Sequence, residues 1–256
     1  MTVVRGANRR APLSRDSVTI VTETTSLASR YLLSNSTHVC VRNGAVYILD
    51  LKRDKYLAVK CAAGAVSGAT ASGRSVIDLL GNDAETLARL ESLGILTTDE
   101  TRGRIPFDVD VCLPSASIVD VHLASPPPIR ALHVWRFFTS VLLTALSLRF
   151  VRLDLIANRV RRRKRTHGSG HFDLQRIREL HSIFERLRPF AFARRDTCLM
   201  YSFACIEFMA SFGVYPDWVF GVQPDPFTAH CWIQYDGHAV SCSAFAAVGF
   251  TPIMLL

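Results

Sequence analysis

The stretch that most limits how this chain can fold lies between Arg195 and Gly237. Arg195-Asp196 leads into an apolar run from about Thr197 to Phe212. Within it Met200, Phe203, Cys205, Ile206 and Met209 predict a helix that Gly213 closes. Trp218–Val222 and Ala229–Tyr235 then read as strands, the second alternating until Asp236-Gly237 turns it back. A thiol at a helix start and, about thirty residues later, an imidazole on a strand is an order in which Cys-His nucleophiles are built.

A catalytic thiol must be ionised at neutral pH, and a helix N-terminus favours the thiolate through its unpaired N–H groups. Cys198 follows a capping residue, Asp196 or Thr197, and its own N–H is placed to help hold an oxyanion. Cys205, two turns further on, reads as core filler, and Cys231 points to the strand face opposite His230. His230, Trp232 and Gln234 share a face, so Trp232 can hold the imidazole and exclude water as a support to the oxyanion region. The imidazole needs a third group to fix its tautomer. A three-residue loop Tyr235-Asp236-Gly237 puts Cys242 opposite His230, and a two-residue turn puts Ser243 there. Neither is a carboxylate, and no acid follows Asp236.

The 256 residues are 49% hydrophobic and 20% charged, enough apolar matter for a sizeable core. A net charge of +8 is compatible with acidic partners, nucleic acid or an anionic membrane surface. Seven cysteines without a CxxC argue against a disulfide framework or structural zinc site and for reduced thiols in a cytoplasmic protein. The N-terminus has no apolar core of signal-peptide length. In Ala131–Ile156 the clean apolar run Phe137–Leu148 is too short to span a bilayer, so no transmembrane segment is expected.

Upstream, residues 1–28 read as a disordered arm and 29–100 as a small module. Its strands are Tyr31–Ser34 continuing into His38–Arg42, then Ala45–Leu51 and Lys55–Lys60, with Asn43-Gly44 as a hairpin turn. Helices Ser75–Leu80 and Ala84–Leu93 complete a winged-helix-like arrangement, suited to DNA binding or to capture of a peptide strand at the sheet edge. Glu85 and Glu91 beside Arg89 disfavour a DNA-reading helix, so no nucleic acid is expected. Residues 101–130 read as a linker and 131–256 as the second domain, giving an α+β protein. A helix over Trp135–Leu155 precedes Arg159–Arg165, read as a solvated loop in preference to a nucleic-acid, nucleotide or membrane patch. Asp173–Arg188 is the next helix.

Cys198 at a helix start, Gly221-Val222, His230-x-Trp232-x-Gln234 and the terminal Phe250-Thr251-Pro252-Ile253 together resemble the lasso-peptide B proteins. These are leader peptidases with a papain/transglutaminase-like domain. The resemblance covers roughly residues 130–256, and Tyr47–Leu51 with Lys55-Tyr56 is similar to the PQQ-chaperone-like element that binds precursor leaders. It implies a cysteine peptidase that removes the leader of a ribosomally made precursor and passes the core to an asparagine-synthetase-like cyclase. The family's nucleophile falls on Cys198, its base on His230, and its acid on Cys242, where the pattern is broken. The leader would add as a strand along Tyr56, Leu57, Ala58 and Val59, against the helix at Leu90. ATP dependence is attached to this family, but no phosphate loop is present and no cofactor is expected. The alternatives are a degenerate member that binds leaders without cutting them, an acyltransferase on the same fold, and a DNA regulator.

Overall fold

The computed structural model describes residues 31–60, 80, 83–104, 111–118, 125–168, 173–192 and 198–256. The expected N-terminal arm, most of the helix expected at Ser75–Leu80, and the capping residues Asp196 and Thr197 lie outside them.

The chain is a mixed α+β protein. β2 (Thr37–Arg42), β3 (Ala45–Asp50) and β4 (Lys55–Lys60) form an antiparallel sheet in that order. Asn43 and Gly44 join β2 to β3 with φ values of 51° and 69°, the left-handed pair that a type I′ turn requires. β1 (Leu32–Ser34) does not continue into β2. It pairs instead with β5 (Leu96–Thr97) and β6 (Gly103–Arg104). Helix α1 (Ala84–Ser92), capped by Asp83, buries Leu87 and Leu90 among Val39, Val46 and Ile48.

The larger sheet runs β11-β8-β9-β10-β7, built from β7 (Ala116–Ser117), β8 (Asp217–Gln223), β9 (Thr228–Tyr235), β10 (His238–Ala239) and β11 (Thr251–Leu255). The stretch expected to be a linker therefore supplies one short strand to each half of the protein. Asp236 (φ 46°) and Gly237 (φ 70°) make a two-residue turn, and β10 ends after pairing Gln234 with Ala239. No return strand runs on from Val240. Ser241 takes the N–H of Ile233 with its hydroxyl at 2.7 Å, and Ser243 caps helix α6 (Ala244–Val248).

Helices α2 (Ala131–Phe150), α3 (Leu153–His167), α4 (Leu174–Leu187) and α5 (Cys198–Ser211) accompany this sheet. Phe137 of α2 meets Phe184 of α4 and Phe208 of α5 edge to face in the core, and the latter two rings pack tilted against each other. α5 lies on the sheet through Phe203, whose ring stacks on Trp218 at 5.2 Å. Burying an aromatic side chain of this size removes about 150–250 Å² from water, worth roughly 4–6 kcal/mol. By length and composition α2 could cross a membrane, where the sequence reading counted only Phe137–Leu148. One face of it packs inward through Phe137, Ser140 and Thr144, while Trp135, Leu142 and Phe150 are exposed.

The two halves share a core. Tyr47, Leu49 and Leu51 of the small sheet cluster with Ile156 and Val160 of α3 and with Phe220 and Cys231 of the large sheet. Arg42 Nη1 donates to Thr251 Oγ1 at 3.0 Å, and Phe227, in the β8–β9 turn, contacts the rings of Tyr47 (6.1 Å) and Tyr56 (5.8 Å).

Candidate active site

Cys198 is the first residue of α5, so its N–H is among those a helix leaves without an internal acceptor. On β9, β10 pairs only with Tyr235 and Gln234, so the edge of β9 further back is not paired by it. There the Cys198 sulfur accepts from the side chain and the backbone N–H of Cys231 and from the side chain of His230. These donors, Cys231 first, pull its pKa down from 9.0 to about 4 against the opposing effect of burial. These donors favour the thiolate form of the half-buried sulfur.

Cys231 stays protonated. Its bond to Cys198 and its own burial push its pKa well up, so it donates S–H to the neighbouring thiolate. Behind it, Ser202 Oγ lies 3.3 Å from Cys231 Sγ, and Trp218 Nε1 donates to Ser202 Oγ at 2.9 Å. With the serine hydroxyl turned toward sulfur, every donor in this buried row points toward Cys198. Strand alternation does put Cys231 and His230 on opposite faces. A sulfur at the strand edge is nonetheless reached from both.

The His230 ring stacks near Trp232 (6.1 Å, 20°) and packs against Phe250 (5.2 Å). Gly221 stands opposite His230 in the ladder, and a Cβ there would come within 2.8 Å of the Trp232 ring and 2.9 Å of Phe250 Cβ. The glycine is what lets both aromatic residues close behind the imidazole. Trp232 is fully buried, and its indole N–H donates to Gln234 Oε1 at 3.0 Å, which removes it as an oxyanion donor. It supports the ring only. Gln234 in turn donates to the carbonyl of Cys112 at 3.2 Å.

The two-residue turn means Cys242 is not the ladder partner of His230. Cys242 packs at the margin of the Trp232 cluster, and burial pushes its thiol up to about 11. Ser243, the other candidate for that place, serves as the cap of α6. Among the described residues no carboxylate bonds to the His230 ring, and no cluster of His, Cys, Asp or Glu could hold a metal ion.

Of the residues expected to bind a leader, Tyr56, Leu57, Ala58 and Val59 lie on β4, the edge strand of the small sheet. Leu57 and Val59 pack toward α1, and Ala58 is exposed. The Leu90 side chain is buried in the core beneath them and does not form part of the surface. Tyr56 faces the other way, onto the shared core beside Cys198. Burial, then the charges of Cys231, Asp54, Cys198 and Cys40, drive its phenol pKa upward, so the hydroxyl remains a neutral donor.

Residues 140–255, from the middle of α2 to the last residue of β11, match the model of the transglutaminase-like superfamily. That region is a transglutaminase-like domain, and the superfamily includes cysteine peptidases. No curated protein and no solved structure matches the chain.

Proposed function

We propose that the protein is a cysteine peptidase that removes the leader from a ribosomally synthesised lasso-peptide precursor. The observation that carries this reading is the Cys198 thiolate held between His230 and Cys231 at the start of α5. Cys198 Sγ attacks the scissile carbonyl and forms the C–S bond, with its backbone N–H facing the developing oxyanion. His230 protonates the leaving amine as the C–N bond breaks. It then takes a proton from water, whose oxygen attacks the thioester, releasing the leader carboxylate and the thiolate. The reaction needs no cofactor. The edge of β4, unpaired among the described residues, supports the substrate class: an extended leader can add there as a fourth strand, next to Tyr56. The released core would pass to an asparagine-synthetase-like cyclase in the cytoplasm.

The test is mass spectrometry of the cognate precursor incubated with the wild type and with Cys198→Ala. Cleavage that disappears in the variant supports the reading, and cleavage that persists removes it. A second reading rests on the absence of a carboxylate partner for His230 among the described residues. On that reading the protein binds the leader and delivers it uncut. Leader binding with no product from wild type or from Cys242→Asp would select it.

A further inference from the structure

The basic run Arg159–Arg165 is not a loop. It lies on α3, where Ile156, Ala157 and Val160 are buried, and the helix divides its charges between two faces. Arg159 and Arg163 pair with the buried Glu207, and Lys164 pairs with Asp217. Arg161, Arg162 and Arg165 instead line a cavity of about 1050 Å³ between α3 and the N-terminal strands. Lys52, Arg102 and Arg104 line it from the other side. Among the described residues these six cations share the lining with one carboxylate, Asp154, which Arg152 already holds through Nε at 3.0 Å and Nη2 at 2.6 Å, while Arg102 Nε also pairs with Asp99 at 3.3 Å.

Two buried donors in the wall have no acceptor among the described residues. Arg104 Nη2 donates to the carbonyl of Thr37 at 2.6 Å and to His38 Nδ1 at 2.9 Å. A guanidinium can only donate, so Nδ1 accepts and the neutral ring carries its hydrogen on Nε2. His38 is 6% exposed, and burial, then Arg104 and Arg161, push its pKa down to about 3. Its Nε2 and the Nε of Arg104 are both buried without a partner. Arg104 is also pulled down, by burial and then by Arg161, and Arg161 by burial and then by Arg165. Cations crowd one another here around donors that lack an acceptor.

We propose that this cavity binds a small molecule bearing two or more phosphate groups. Phosphate oxygens match the arginine fork and concentrate charge and acceptors in a small volume. An extended acidic peptide would space its same-face carboxylates about 7 Å apart. The site shares no residue with the Cys198 constellation and does not depend on peptide cleavage.

Isothermal titration calorimetry of the full chain with inorganic triphosphate tests it, without reading peptidase activity. The wild type is expected to bind one equivalent. Arg161→Gln and Arg165→Gln should each weaken binding by about tenfold or more, and Arg159→Gln, an equal charge loss on the other face, by less than about twofold. If Arg161→Gln does not fold, the exposed Arg165 carries the comparison. Absence of triphosphate binding overturns the proposal, as does equal weakening by Arg159→Gln. Tighter binding of hexaglutamate than of triphosphate overturns it in favour of an acidic peptide.

Discussion

Cys231 gives both its backbone N–H and its thiol to the sulfur of Cys198. The two cysteines thus have complementary roles, the half-buried sulfur carrying the negative charge and the buried one the proton that stabilises it. A hydrogen bond to a charged group is worth about 1.5–3 kcal/mol, and about 1.36 kcal/mol corresponds to one pH unit. In Cys231→Ala the backbone donor remains. The midpoint of iodoacetamide alkylation of Cys198, expected well below the ordinary thiol value in wild type, should rise by about one pH unit or more. The sign follows from the cause: removing a donor to the thiolate raises the pKa, so reactivity is lost on the acid side. An alkylation profile that stays in place would show that the Cys231 thiol does not stabilise the charge.

Gly221→Ala tests the wall behind the imidazole. The added methyl must displace the Trp232 ring or Phe250, and His230 rests on both. Misplacing a catalytic group by about 1 Å costs on the order of 100-fold in rate. We expect kcat for precursor cleavage to fall on that scale while Cys198 alkylation changes little, because the Cys231 donors are untouched. Parallel loss of both would place the damage in the whole domain.

Phe227→Ala removes the ring that meets Tyr47 and Tyr56 from the β8–β9 turn. Aromatic pairs contribute about 0.5–1.5 kcal/mol each, so a loss of about 1–2 kcal/mol is expected in denaturant unfolding. Cleavage of full-length precursor should suffer through KM more than cleavage of a short peptide spanning the cut site. Equal effects on both substrates would separate the small sheet from substrate capture.

Glu207→Gln weakens the pairing of a buried carboxylate with Arg163 Nη1 (3.0 Å) and Nη2 (2.7 Å). The expected cost is about 2 kcal/mol, measured by urea unfolding. An unchanged midpoint would mean that Arg159 and Arg163 gain as much from water as from Glu207.

Much of the site's framework could be read from residue order because its signals are local. The Cys198–Phe212 periodicity, the alternation around His230 and the Asn43-Gly44 turn each depend on a few neighbouring residues. What escaped depends on partners distant in the chain or on atoms that a residue name leaves free to choose. The use of the Trp232 N–H was hidden by Gln234 two residues on, a same-face neighbour whose amide takes it. The pairing of β10 with β9 stops after Ala239 because the Ser241 hydroxyl replaces a backbone acceptor and Ser243 starts a helix. The arginine run misled by its composition. Ile156, Ala157 and Val160 at helical spacing were the signal for α3, and charge density alone concealed it. The choice between two loop lengths at Asp236-Gly237 was decided by φ values that no residue name supplies.

The seam between the two sheets limits how such a protein can be remodelled. Tyr47, Leu49 and Leu51 lie in the same cluster as Ile156, Val160 and Phe220, with Phe227 and Thr251 fastening its rim. A cassette exchange that grafts a new small sheet onto the transglutaminase-like half transfers only one side of that seam. If the protein is the proposed leader peptidase, specificity for a different precursor would have to be rebuilt on the outer edge of β4, with the inward-facing side chains kept, or else both sides of the seam inherited together.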